Sequence, residues 1–336
     1  MGLAAFPIMK SVSIPAFVLL LVHGVAIASL AQSAPPPEIT FHSSSDLVLV
    51  DVIALKNGLP DMTLQRDDFE IYDNGHRVAI KTFDSGAQTR PLAVWFVVQC
   101  KMDGWEKQGS ALFAGQTSLL KPGLKDLTPH DTVAVAHWCD NGDAKLDLLP
   151  TGNIDEVTTV LERALASENG GKFHDRTGEL ALQNTLQLIV DHTHSLPNKP
   201  VPVVIFLYGD YSGMPRKEAD HFIDELLETS AIAFGLKDSR SPGMWWLPGE
   251  QKEVAHYIAT ETGGQYLKVT PETYAAGLEE ILRQLHFRYE LGFKPEALDG
   301  KRHALNVKLA DAAKNKHKGV RLRSRPDYVP SSGDTR

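Results

Sequence analysis

The chain has 336 residues, 43% hydrophobic and 23% charged, with 34 Lys and Arg against 42 Asp and Glu for a net charge of −8. That composition excludes an intrinsically disordered chain and a polybasic nucleic-acid binder. At roughly 100 to 200 residues per domain the length allows about two domains, and two cysteines are too few for a disulfide scaffold or a four-thiolate zinc site.

Residues 1–31 read as a secretory signal: Lys10 precedes an apolar stretch from Ile14 to Leu30, and Ser29-Leu30-Ala31 offers small residues for cleavage. Pro15, His23 and Gly24 interrupt the stretch, which falls short of the about 20 apolar residues of a membrane span. No span is expected once the signal is removed. Residues 32–40, with Ala34-Pro35-Pro36-Pro37, form an extended linker.

A β segment over 41–88 follows. Leu47 to Leu55 leads into Asn57-Gly58, and Phe69 to Tyr72 is joined through Asp73-Asn74-Gly75 to a strand over Val78–Phe83. Then come continuous apolar runs of the kind found in strands covered on both faces: Leu92–Val98, Thr132–Trp138, Val203–Tyr208 and Ala231–Gly235. A turn at Asn141-Gly142 joins the second run to Leu146–Leu149. Helical patterns over Ile154–Leu165 (with Asn153 as cap), Leu180–Val190, Lys217–Glu228 and Thr273–Leu285 complete a unit over 89–286. The alternation predicts a doubly wound, mostly parallel α/β sheet, whose binding crevice lies beyond the carboxyl ends of the strands where strand order reverses. Three further strands, Arg288–Phe293, Ala304–Leu309 and Val320–Arg323, make a C-terminal β segment over 287–330. Neither β segment can bury a core by itself, so the two are expected to pack together as one small antiparallel domain.

Several motifs, in this order, carry a resemblance. They are Asp67-Asp68-Phe69-Glu70-Ile71-Tyr72-Asp73-Asn74-Gly75, Pro91 to Val98, Asp131 to Ala136, Val203 to Gly209, Thr262-Gly263-Gly264, Tyr289-Glu290-Leu291-Gly292-Phe293 and Arg325-Pro326-Asp327-Tyr328. Over residues 45 to 330 the chain resembles a von Willebrand factor A domain, and more narrowly the secreted bacterial VWFA-related proteins known mainly from acidobacteria. The resemblance implies a metal-ion-dependent adhesion site, in which an Asp-x-Ser-x-Ser motif, a Thr and a later Asp hold Mg²⁺ through hard oxygen ligands. Here Gln99 stands at the first Asp, Lys101 and Asp103 at the two Ser positions, and Tyr208 at the later Asp, with Asp210 one step beyond. Only the Thr is kept, as Thr177.

The missing carboxylates predict no bound metal and no cofactor. Lys101 would either substitute for the cation, paired with Asp103 or Asp210, or point into water. A loop offset of one residue would instead leave a partial site through Asp103 and Asp210. The A-type topology implied by the resemblance makes the strands ending at Val98 and Trp138 parallel neighbours, about 4.8 Å apart. Cys100 and Cys139 would then be near enough to bridge in an exported protein, or would remain two buried thiols.

The weaker features are His192-Thr193-His194, two histidines that could ligate a metal but are read as solvated in a polar loop, and Lys314-Asn315-Lys316-His317-Lys318, read as a solvated hairpin tip. Met244-Trp245-Trp246-Leu247-Pro248 is read as a loop that either folds back over the sheet edge or, the favoured reading, exposes an apolar partner-binding patch. No nucleophile elbow, phosphate loop or His-Glu-x-x-His helix occurs. The expectation is an exported, non-catalytic interaction or adhesion module that meets an unknown protein partner through Lys101, Thr177, Asp210 and the Trp245-Trp246 loop without metal. The alternatives are a secreted hydrolase using the same crevice and a structural envelope protein.

Overall fold

A strand covered on both faces is apolar at nearly every position, and this dictates the centre of the molecule. The computed structural model describes residues 47–85, 90–102, 120–139, 142–166, 168–169, 175–196, 200–208, 214–239 and 254–330, all in one compact unit. The signal segment (1–31), the linker (32–40), Asp103, Asp210, Trp245 and Trp246 lie outside the described residues. Of Lys101, Thr177 and Tyr208 the backbone alone is described.

In chain order, β1 (Val48–Lys56) turns through Asn57-Gly58 into β2 (Leu59–Pro60), followed by β3 (Phe69–Asp73), β4 (His76–Val78) and β5 (Ile80–Ser85). Next come β6 (Leu92–Gln99), β7 (Lys101–Met102), α1 (Leu120–Gly123), β8 (Thr132–Trp138), β9 (Ala144–Thr151) and α2 (Ile154–Ala166). They lead to β10 (Glu168–Asn169), α3 (Asp175–His194), β11 (Val201–Tyr208), α4 (Arg216–Glu228) and β12 (Ile232–Asp238). The unit ends with α5 (Val254–Glu261), β13 (Tyr266–Val269) and α6 (Tyr274–His286). Last are β14 (Tyr289–Phe293), β15 (His303–Leu309), α7 (Asp311–Lys316), β16 (Val320–Arg323) and β17 (Asp327–Tyr328).

The central sheet runs β13-β12-β11-β6-β8-β9, parallel except for β9, which returns antiparallel to β8. Alternate side chains feed two cores. Val94, Phe96 and Val98 pack with Val157 and Leu161 of α2 and Leu278 and Leu282 of α6. Trp95 and Val97 pack with Leu182 and Leu186 of α3, Phe222 of α4 and Ile258 of α5. The α2 start is capped as expected, the Glu156 amide donating to Asn153 Oδ1 at 3.3 Å. The chain leaves β6 toward β8 and β9 and returns to β11 on the other side of β6. Strand order therefore reverses between β6 and β11.

The remaining strands form two antiparallel sheets, β16-β1-β14-β5, with β2 on β1, and β17-β15-β3-β4. They enclose Val50, Val52, Phe69, Ile71, Tyr289, Leu291, Phe293, Leu305 and Tyr328. β1 is buried on both faces, because Ile53 on its other side enters the core of the central sheet. Asp51 shares that inner face. It accepts a hydrogen bond from Arg288 Nε at 2.6 Å, and Arg288, wholly buried, donates onward to the carbonyls of Leu285 and Arg90. The Arg325 guanidinium, also buried, donates to Leu49 O at 2.8 Å and Leu227 O at 3.3 Å.

Three expectations are corrected. The run Val78–Phe83 is two strands broken at Ala79, because β4 pairs with β3 in one sheet while β5 pairs with β14 in the other. His192-Thr193-His194 lie on the last turn of α3 and not in a loop. Thr193 Oγ1 donates to Ile189 O, and His192 Nδ1 lies against Leu188 O, both at 2.7 Å. The stretch Lys314–Lys318 ends α7 and is not a hairpin tip, and His317 is buried 3.2 Å from Asp68. No helix among the described residues is long and apolar enough to cross a membrane.

Candidate functional site

The strand ends at the reversal point are where a doubly wound sheet places its binding crevice. Gln99 is the last residue of β6 and pairs in register with Trp138 of β8. Tyr208 ends β11 one residue after Leu207, which pairs with Val98, so β6 and β11 finish level. Lys101 continues beyond β6 in β7, which pairs in parallel with β10, Lys101 opposite Glu168. Thr177 lies in the first turn of α3. The last residues of the two strands flanking the reversal are thus a glutamine and a tyrosine, neither of them a carboxylate.

Cys100 and Cys139 form a disulfide with Cα atoms 4.9 Å apart, within the reach of about 7 Å that bridging allows. The cause is the β6–β8 pairing, extended by the Cys100 amide donating to Trp138 O at 2.9 Å. A tight turn follows. The Cys139 amide donates to Asp143 O at 2.8 Å and the Gly142 amide to Cys139 O at 3.0 Å, with Gly142 at φ 98, a backbone state glycine reaches without a steric cost. The disulfide therefore ties the chain just beyond β6 to the end of the neighbouring strand.

A third residue belongs to this corner, and no motif marked it. His137, on β8, is buried, and it forms one mutually close group with the sulfurs of Cys100 and Cys139, the ligand atoms all within 4.8 Å of one another. Nδ1 is 2.5 Å from Asp147 Oδ2 on β9, and Nε2 is 3.4 Å from Asp143 Oδ2. The hydrogen bond that His137 donates to Asp147 outweighs burial and raises the His137 pKa above its ordinary value. The available signal was one polar residue in an otherwise apolar run, two positions before a cysteine.

At the opposite end of the sheet Asp131 is buried. Its carboxylate accepts from the Leu92 and Thr128 amides, each at 2.7 Å, and lies 2.8 Å from His286 Nε2. Burial by itself would raise its pKa, but His286 and the two amides together hold it below the ordinary carboxylate value. This group fastens the β6 and β8 starts to α6 and is remote from the crevice.

No protein-family model matches the chain, and no curated protein matches it. Among solved structures, it is similar to a von Willebrand factor type A protein from Catenulispora acidiphila, with a TM-score of 0.43, 13% identity, and 80% of this chain and 75% of that one covered. It is also similar to the conserved hypothetical protein BatB from Bacteroides thetaiotaomicron, with a TM-score of 0.35, 14% identity, and 57% of this chain and 98% of that one covered. The class, a doubly wound α/β sheet with one antiparallel edge, rests on the chain's own strand order.

Proposed function

We propose that the protein is an exported, non-catalytic interaction module of the secreted VWFA-related kind, whose strand-end crevice takes a protein partner without a metal ion. The observation that carries this reading is the placement of Gln99 and Tyr208 as the last residues of β6 and β11, the strands flanking the reversal of order. Mg²⁺ gives up water reluctantly and is bound through carboxylates. An amide and a phenol supply no charge to offset that loss. In this reading Lys101 and Thr177 meet an acidic side chain of the partner directly, and Asp210 and the Trp245-Trp246 loop complete the contact. Export is supported by the signal-like residues 1–31 and by the Cys100–Cys139 disulfide, which fits an oxidising compartment.

The test pairs two measurements on the oxidised protein. Calorimetric titration with Mg²⁺ and Mn²⁺ should give no micromolar binding. Crosslinked partners from the native envelope should be retained in EDTA and lost with Lys101→Glu. Micromolar Mg²⁺ affinity, or capture that requires the ion, overturns the reading.

A further inference from the structure

We propose that, when the Cys100–Cys139 disulfide is reduced, Cys100, Cys139 and His137 become the ligands of a thiophilic divalent ion, zinc above all, with Asp143 closing the tetrahedron. This goes beyond the partner-binding reading and does not depend on it, since that reading concerns the oxidised protein and a hard cation.

Geometry comes first. The two sulfurs and the imidazole nitrogen lie within 4.8 Å of one another, all on buried residues. Zinc bonds of about 2.3 Å to sulfur and 2.0 Å to nitrogen place tetrahedral ligand atoms roughly 3.3–3.8 Å apart. On reduction the two sulfurs, bonded to each other in the disulfide, need to part by roughly 1.7 Å and the imidazole nitrogen to close by about 1 Å, movements of the size a rotamer change supplies. The 3.4 Å between His137 Nε2 and Asp143 Oδ2 is already the spacing of two ligands on one such ion.

The surroundings also suit an ion. Zinc-bound histidines commonly hold a carboxylate on the nitrogen that faces away from the metal, which fixes ring orientation and tautomer. Asp147 occupies that place on Nδ1 at 2.5 Å, leaving Nε2 to ligate. The Asp147 side chain is itself only 11% exposed, and the Asp143 side chain is 60% exposed, so the site has a rigid back and an open mouth. Two thiolates and an imidazole select zinc over magnesium or calcium.

The chemistry balances. A dithiol or phosphine reductant gives two electrons to the S–S bond, leaving two thiols and the oxidised reductant. Binding the ion then releases both thiol protons, and the two thiolates cancel its charge. Asp143 adds a fourth bond. The same pair of sulfurs thus has two mutually exclusive states, a covalent bridge or a metal cross-link, and either one ties β6 to β8.

The experiment uses the full chain, oxidised or reduced anaerobically with a phosphine, titrated with Co²⁺ and then Zn²⁺. The reduced protein should bind one Co²⁺ with thiolate-to-cobalt charge-transfer bands that Zn²⁺ bleaches, and the oxidised protein should show none. Cys100→Ser should abolish the bands, and Asp147→Asn should weaken binding by about 10- to 100-fold. Stoichiometric Zn²⁺ should also shield both thiols of the unmutated reduced protein from iodoacetamide, as read by mass, which needs no variant to fold. Reduced protein without charge-transfer bands, bands that persist in Cys100→Ser, or thiols alkylated at the same rate with and without Zn²⁺ would each overturn the proposal.

Discussion

Removing Asp51 tests the joint between the β sandwich and the central sheet. The Arg288 guanidinium has no exposed surface, and Asp51 Oδ1, 2.6 Å from Nε, is its carboxylate partner. Arg90 is 3.8 Å from Asp51 but keeps Glu290 at 2.7 Å when Asp51 is lost, so the damage falls first on Arg288, which is hydrogen-bonded to Asp51, and then on buried Arg325, whose charge Asp51 also favours. Asp51→Ala leaves a buried cation bonded to two neutral carbonyls, a change that costs about 3–5 kcal/mol. With a urea m-value of about 3 kcal/mol/M, the unfolding midpoint should fall by roughly 1–1.7 M. The double variant Asp51→Leu with Arg288→Met removes both charges and should recover most of that loss, short of about 1–3 kcal/mol for the freed Leu285 and Arg90 carbonyls. Urea unfolding followed by tryptophan fluorescence gives all the needed midpoints. A single-variant cost below about 1 kcal/mol, or a double variant as unstable as Asp51→Ala, would refute the account.

Three further outcomes are expected. The disulfide closes a separation of 39 residues, for which the chain-entropy relation gives about 4 kcal/mol, so Cys100→Ala with Cys139→Ala should lower unfolding free energy by about 2–4 kcal/mol in denaturant titration. A Cβ on Gly264 would sit 1.7 Å from Ala233 O, whereas one on Gly58 would meet nothing within 4 Å. Gly264→Ala should therefore lower the melting temperature by about 5 °C or more, and Gly58→Ala should cost only the roughly 1 kcal/mol of its left-handed backbone, both read by calorimetry. His137 has a raised pKa, so its protonated contact with Asp147 contributes fully below about pH 6.5 and is lost as pH rises through the folded value. The stability gap between wild type and His137→Gln, from urea midpoints across about pH 5–9, should shrink toward high pH, and a gap that widens would contradict this sign.

The central sheet was legible because its inner strands β6, β8 and β11 are apolar at nearly every position. Leu92–Val98 and Thr132–Trp138 could not alternate and still be covered on both faces, and the structure buries both completely or nearly so. Short and half-buried elements carried no such signal. β13 has four residues at the sheet edge and α5 only eight, and neither was predicted. The break at Ala79 is set by which sheet each half joins, a matter of long-range pairing invisible in a local alternating pattern. The proximity of Cys100 and Cys139 followed from the expected parallel pairing, whereas His137 looked like one more strand residue. Its partners Asp143 and Asp147 come into reach only when the antiparallel return of β9 brings them alongside β8.

The two-faced burial of β1 has a mechanical consequence. Val50 and Val52 belong to the sandwich and Ile53 to the core of the central sheet, while Arg325, from the far end of the chain, grips the Leu49 carbonyl. The chain enters β6 and leaves α6 at the end of the sheet opposite the crevice, where Arg90, Asp131 and Arg288 gather. If the strand ends take a partner as proposed, a pull there runs along β6 to this corner and into the antiparallel ladder of the sandwich. The sandwich would then act as a clamp, its two segments, far apart in sequence, held together by the β1–β14 and β3–β15 pairings.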